Sequence, residues 1–495
     1  MLVATVAAEM PVRAEGPAAP GPSLGWRLDW GAAWAERAVR DAMDLASLLD
    51  RSDESARIAF AMDGDRAGAD LGAMRLADGW SVALESPGRF LEDAMPPAFA
   101  SSGGPAPFAA GAVAGRDLLA GVKATGRAGS LEYGVMTFEL DDARARDGHD
   151  SLGVGRVVLD MAEGLRVGAI ATAGDPRHGD ARRDGESYLV GTDVTLDASD
   201  LIEGRALEAG FWLQQSMATD ADGDASDAAV GFRLAYPNDR VRWSLAFTQV
   251  GDEFDAAVGS VPRRGVREYS GLWHYRVRPG GLIRSIDTGV EASMVSGLDG
   301  DEAEERIRLS PVSLELATSD QVRFDYILHR AAHAAATRVG PSVLPAGEYA
   351  YERYEVAANT APSRPVRFDV RFGGGQYYTG DRRDATVAAR WRVAPAIEVT
   401  AGYEQADIEL EDATWTSRVI RGNFNVAFAR TASWTNAIWY DHANGTVGVD
   451  GRLRWEIEPG NEVVLNVSPR FAADGASPAE DELGIVTSLR WSREF

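Results

Sequence analysis

Apolar and polar residues alternate one by one along most of this chain. Val241, Trp243, Leu245 and Phe247 interleave with Arg242, Ser244, Ala246 and Thr248. Val322, Phe324, Tyr326 and Leu328 interleave with Arg323, Asp325 and His329, and Val366, Phe368, Val370 and Phe372 with Arg367, Asp369 and Arg371. Val447, Val449, Leu453, Trp455 and Ile457 oppose Asp450, Arg452, Arg454, Glu456 and Glu458. A period of two puts each set on its own face of an extended strand. Such segments, roughly ten residues long and separated by Gly, Asp, Asn or Pro clusters, recur from residue 118 to the end.

This pattern predicts an all-β fold: a large antiparallel transmembrane β-barrel of about 16–20 strands, joined mostly by short connections. A soluble propeller or stacked sandwich also repeats short strands. Two details favour the membrane. Charged residues stand in mid-strand on the polar face, as a wet lumen allows. Aromatic residues such as Tyr188, Trp212, Trp273, Tyr275, Trp391, Tyr403, Trp415, Trp439 and Tyr440 fall near strand ends, as interfacial girdles require.

The final stretch, Gly484 to Phe495, reads as one more strand, with Ile485, Leu489 and Trp491 on one face and Ser488, Arg490 and Ser492 on the other. It is expected to pair with the first strand, because an open edge in lipid leaves backbone groups unpaired. Arg493 shares the apolar face, which places it and the C-terminus at the periplasmic interface. Ahead of the barrel, residues 1–24 are rich in Ala, Pro and Gly and read as a disordered linker. Residues 25–117 read as a short irregular N-terminal segment, periplasmic or plug-like, with Ala32–Leu49 partly helical and Ala59–Val82 closer to short strands. Residues 93–112 read as a long loop.

Composition narrows the function. With 50 basic and 75 acidic residues the formal charge is −25, which opposes wrapping a nucleic-acid backbone or docking on anionic lipid. The chain has no cysteine, so disulfides and thiolate metal sites are excluded. The apolar run Leu2–Ala8 is short and follows no Lys or Arg. It makes a poor export signal, so the true start is expected upstream or the sequence is a fragment.

Four stretches together resemble one family. Gly251-Asp252-Glu253-Phe254 followed by Val261-Pro262-Arg263 and Gly265 resembles a Gly–acid–Phe start followed by Gly-Phe-Val-Pro-Arg and Gly. Ser86–Glu92 resembles an Arg-Pro-Phe-Phe-Leu-Glu segment, Lys123–Arg127 a Lys-Leu-Thr-Gly-Arg first strand, and Arg452–Glu462 the penultimate hairpin. The family is the DUF5916 group of bacterial outer-membrane-type β-barrels, often preceded by a carbohydrate-binding module of the family 9 type. The resemblance covers residues 86–495 and implies an outer-membrane location. The 85 residues before Ser86 are too few for that module and its linker. Phe495 resembles the terminal aromatic read by the barrel assembly machinery.

Candidate chemistry is sparse. His329 and His333 have a zinc spacing for a helix, but on a strand they stand ~13 Å apart, at ~3.3 Å per residue. Asp220, Asp222, Asp224 and Asp227 suggest a calcium loop, yet Ala225 stands where Gly is required and no Glu closes it. No Gly-x-Ser-x-Gly occurs. The expectation is therefore no enzyme, no metal and no cofactor. The sharpest candidate is the loop around Pro262, whose Arg263, Arg264 and Arg267 would act as a constriction folded into the lumen. The competing reading is a long hairpin loop whose arginines pair with Glu253, Asp255 and Glu268. A second set, Arg323, Asp325, Arg367, Asp369, Arg371, Arg452 and Arg454, would line the lumen or simply pair and stiffen it. The function expected is passive passage of small solutes, saccharides among them. The alternatives are a structural or partner-docking barrel and, third, an outer-membrane hydrolase.

Overall fold

A computed structural model describes residues 54–62, 72–77, 80–84, 105–108, 118–141, 149–175, 187–198, 204–220, 223–300, 303–442, 445–458, 461–472 and 483–490. Three N-terminal strands are β1 (Glu54–Met62), β2 (Gly72–Ala77) and β3 (Trp80–Leu84). Then come β4 (Leu118–Ala128), β5 (Leu131–Asp141), β6 (His149–Ala162), β7 (Leu165–Ala173), β8 (Ser187–Ala198) and β9 (Leu207–Asp220). β10 (Gly223–Pro237), β11 (Val241–Val250), β12 (Val266–Val277), β13 (Ile283–Gly297), β14 (Ala303–Leu316) and β15 (Gln321–His333) follow. A small hairpin, β16 (Thr337–Val339) and β17 (Ser342–Leu344), leads to β18 (Gly347–Asn359), β19 (Val366–Tyr377), β20 (Gly380–Ala394) and β21 (Ile397–Glu409). The last are β22 (Thr414–Ala429), β23 (Ala432–Asp441), β24 (Thr446–Glu458), β25 (Asn461–Ala472) and β26 (Leu483–Arg490).

All but the small hairpin join one 24-stranded sheet. From β4 to β26 each strand pairs antiparallel with its sequence neighbour, β15 passing directly to β18. The expected all-β, antiparallel up-and-down layout is therefore present. The N-terminal segment is less irregular than expected: β1 pairs antiparallel with β4 and parallel with β3, and β3 with β2.

Among the described residues the last strand does not close on the first. Among the described residues β26 pairs with β25 alone and β2 with β3 alone. Strand direction supplies the reason. β4 and β26 run the same way, so no antiparallel seam can join them. β1 runs the opposite way, but its second edge holds β3. Trp491, Arg493 and Phe495, on which the expected interfacial ending rests, lie outside the described residues, as do residues 1–24, Ala32–Leu49 and Ser86–Glu92.

The connections differ between the two ends. At one end they run from two residues, as at 129–130, 163–164, 395–396 and 430–431, up to the longest at 199–206; at the other they include two-residue connections at 221–222 and 378–379 but also the long 251–265 and 334–346. The two faces differ more. One carries large exposed apolar side chains from strand to strand: Val190, Phe211, Phe232, Leu245, Trp273, Val312, Phe324, Val356, Phe372, Trp391, Ile420, Ile438 and Trp455. The opposite face carries the charges, and on β4–β11 it is covered. There Met136, Phe138, Leu140, Leu152, Leu189 and Trp212 are buried beneath Phe254, Ala256 and Val258 of the 251–265 loop. Trp212 and Trp415 thus leave the predicted girdle: Trp212 is buried in this core, and Trp415 packs against the small hairpin.

Candidate functional site

The covering loop is held by specific bonds. Asp227, the last of the four aspartates of the expected acidic turn and here within β10, accepts the Glu253 amide at 3.0 Å and its own neighbour Ala228 at 2.7 Å. Gly251 is needed there, since a Cβ would lie 2.1 Å from the Asp227 carboxylate. The Asp255 amide donates to Ser216 Oγ at 3.0 Å, and the buried Asp255 carboxylate accepts Arg264 at 2.7 Å. A second segment lies on the loop. Ala106 and Ser260 exchange backbone bonds of 2.9 Å in both directions, and Gln214 donates to the Pro105 carbonyl at 2.9 Å. Gly259 sits so close that a Cβ would stand 2.0 Å from the Ala106 oxygen. Part of the stretch read as a long loop is thus a strap over the covering loop.

The loop's arginines take different places. Arg264 staples the loop through Asp255. Arg263 is exposed, 4.0 Å from Glu268. Arg267 shares a face with Tyr269, the apolar one, and donates to Gln249 at 3.0 Å. The loop does fold onto the charged face, while its arginines pair locally.

On β14–β20 the charged face is dense with ions, with the small hairpin packed at its long-loop end. Asp325, with 1 % of its side chain exposed, accepts Arg308 at 3.1 Å and the Ser310 hydroxyl at 2.6 Å and lies 2.9 Å from Arg323 Nε as an ion pair. Glu355 lies 3.3 Å from Arg371, 3.7 Å from Arg323 and 3.9 Å from Arg308. Three guanidiniums thus surround two carboxylates. Arg367 pairs with Asp369 at 2.8 Å, and Asp384 takes both Arg353 and Arg382. Arg454 lies 3.9 Å from Glu456, and Arg452 stands in register between Thr435 and Asn466. The set chosen from sequence therefore divides, with Arg323, Asp325 and Arg371 meeting in one cluster and Arg452 and Arg454 lying on other strands.

Sequence reasoning missed Arg308, Ser310 and Glu355. Arg308 lies just before a register shift between Leu309 and Val312, and Ser310 lies within it beside Pro311. Proline has no N–H for the ladder, so the strand bulges and strict alternation loses its phase there. Glu355 sat in plain alternation within Tyr354–Val356, and its signal was available. Also missed was the buried pair Arg156–Asp193, at 3.0 and 3.1 Å, for which Gly168 leaves room. His329 and His333 do share a face, but each packs on tyrosines: His329 stacks on Tyr351 at 4.9 Å, and His333 meets Tyr349 and Tyr378. Among the described residues no three His, Cys, Asp or Glu side chains come together to hold a metal ion.

Compared with known proteins, the chain matches no family model and no curated protein. The resemblance to the DUF5916 group rests on its four motifs alone.

Proposed function

We propose that this chain is a bacterial outer-membrane β-barrel that passes small solutes passively along its charged face. The observation that carries the reading is the contrast between the two faces. Leu245, Phe372, Trp391 and Ile438 are each more than half exposed, within a belt that continues across the sheet. Soluble monomers rarely expose apolar patches beyond a few hundred Å². The belt also has a limit. On β22 the apolar face runs from Ile420 to Phe428, about 26 Å at ~3.3 Å per residue, then turns polar at Arg418 and Thr416. Lipid-facing bands of outer-membrane barrels are about 25 Å tall. On β20 and β21 the same face likewise turns polar towards the long-loop end, at Arg383, Asp407 and Glu409.

The asymmetry of the ends supports an orientation. Outer-membrane barrels have short periplasmic turns and longer external loops, so the short-turn end, where β26 finishes, faces the periplasm. Closure in lipid then pairs β26 with β1, the antiparallel choice, and β3 yields that edge. β1 with the meander β4–β26 makes an even number of strands, as bacterial barrels have. The covering loop and the strap at residues 105–108 fill one side of the lumen, and the ion-lined wall of β14–β20 borders the remaining passage.

Planar-bilayer recording of the purified full chain tests this. Discrete current steps are expected, growing when the loop is loosened. Absence of current both in the native protein and after shortening of residues 251–265 would favour a sealed, partner-docking barrel.

A further inference from the structure

On the charged face, a cleft of about 260 Å³ lies between β11 and β14, lined by Ser244, Ser270, Ser293, Glu291, Arg306 and Arg308. Ser270 stands directly opposite Ser293, and Ser293 opposite Arg306. Cross-strand neighbours have Cβ atoms ~5 Å apart, so two hydroxyls and a guanidinium form a donor row in which a small oxyanion can bridge adjacent members. Of the ionic groups around the row, Arg308 is already engaged. Arg308 is held by Asp325 at 3.1 Å, whereas Glu291 stands 3.7 Å from His274 Nε2, an ion pair only with a protonated imidazole. Arg306 makes no ion pair among the described residues.

We infer that this cleft binds an oxyanion, the phosphate or carboxylate of a small solute, with Arg306 as its fixed charge and the serine hydroxyls as neutral donors. This inference names the solute class for the channel proposed above and rests on that reading for its biological role. The chemistry is complementary. A guanidinium offers a two-pronged donor to phosphate or carboxylate, hydroxyls add bonds without charge, and among the described residues Arg306 holds no ion pair within 4 Å that an anion would have to displace.

The test is equilibrium dialysis of the full chain in detergent micelles against labelled inorganic phosphate and, separately, labelled glucuronate. Saturable binding of at least one is expected, and the preferred one identifies the anion. Arg306→Gln should weaken it at least tenfold, Arg306→Lys less, and Ser270→Ala with Ser293→Ala a few-fold. Arg127→Gln, at a distant turn where it pairs with Glu132 and Asp160, should leave it unchanged. Each variant's fold is checked by its β circular dichroism. No saturable binding of either anion, or equal binding by Arg306→Gln, overturns the inference. Parallel bilayer recordings separate the two claims. Binding without current leaves the site standing and removes the channel. Current without binding does the reverse.

Discussion

Phe254→Ala should open the covering loop without unfolding the sheet. Phe254 is fully buried among Trp212, Leu189 and Val258, and Phe→Ala truncations in such cores cost about 3–5 kcal/mol. A loop can partly collapse into the gap, so the lower figure applies. About 3 kcal/mol is roughly a 150-fold shift in the loop's opening equilibrium, at 1.4 kcal/mol per tenfold. Its effect should be local, because loop and strap are tied to the wall by side-chain packing and a few bonds, whereas the strands are held by continuous ladders. Hydrogen exchange followed by mass spectrometry reads this out. The amides of Gly259 and Ser260, which donate to the Ala256 and Ala106 carbonyls, should exchange about a hundred times faster by the same arithmetic. Peptides from β5 to β9 should not change. Unchanged exchange at the loop would show that Phe254 does not hold it. Acceleration of loop and strands together would show that the loop is part of the wall rather than a separate plug.

Gly259→Ala places a methyl against the Ala106 carbonyl, so protection of the Ser260 amide should fall while that of Gly251, which donates to Ala228 at 3.0 Å, persists. Asp325→Ala strands Arg308 and Arg323 beside a single carboxylate. Removing one member of a buried ion pair costs about 3 kcal/mol, visible as a lower urea midpoint, and the reversal potential in a salt gradient should move towards greater chloride preference. At the turn after β14, Asp320 accepts the Thr318 hydroxyl at 2.7 Å, the Ala361 amide at 2.8 Å and Arg364 at 2.5 Å, which together hold its carboxyl below the usual range. Its folded pKa being depressed, the turn's contribution is present above the unfolded value of about 4 and is lost as pH falls through the folded one. Asp320→Asn should therefore unfold more easily than the native protein at pH 7, with the gap closing on acidification.

Much of the fold was legible because burial on one side and exposure on the other impose a period of two, and that period survives without any knowledge of partners. Val366–Phe372 and Val322–Leu328 were read to the right face residue by residue. Seams were not legible. Whether β26 meets β1 or β4 depends on how many strands intervene, and β1–β3 carry too short a pattern to count. The loop around Pro262 was marked as special by proline and clustered charge, yet its burial comes from Phe254 and Val258 meeting leucines and Trp212 on strands far away in sequence. Charge pairing was partly visible. Arg323 and Asp325 stand two residues apart, but Arg308 and Glu355 reach them only across the sheet, and a bulge at Pro311 hides one of them. Arg267 was assigned to the lumen from its neighbours' charge, whereas strand phase puts it with Tyr269.

The central claim is that one face of this sheet meets lipid and the other water. The chain has no cysteine, so single cysteines can be placed at each position from 366 to 372 and spin-labelled in proteoliposomes. Collision rates with oxygen, which concentrates in lipid, and with a water-soluble nickel chelate then report each side. Oxygen-dominated values are expected at positions 366, 368, 370 and 372 and chelate-dominated values at 367, 369 and 371. A chelate-accessible series at all seven positions in the presence of lipid would contradict the claim.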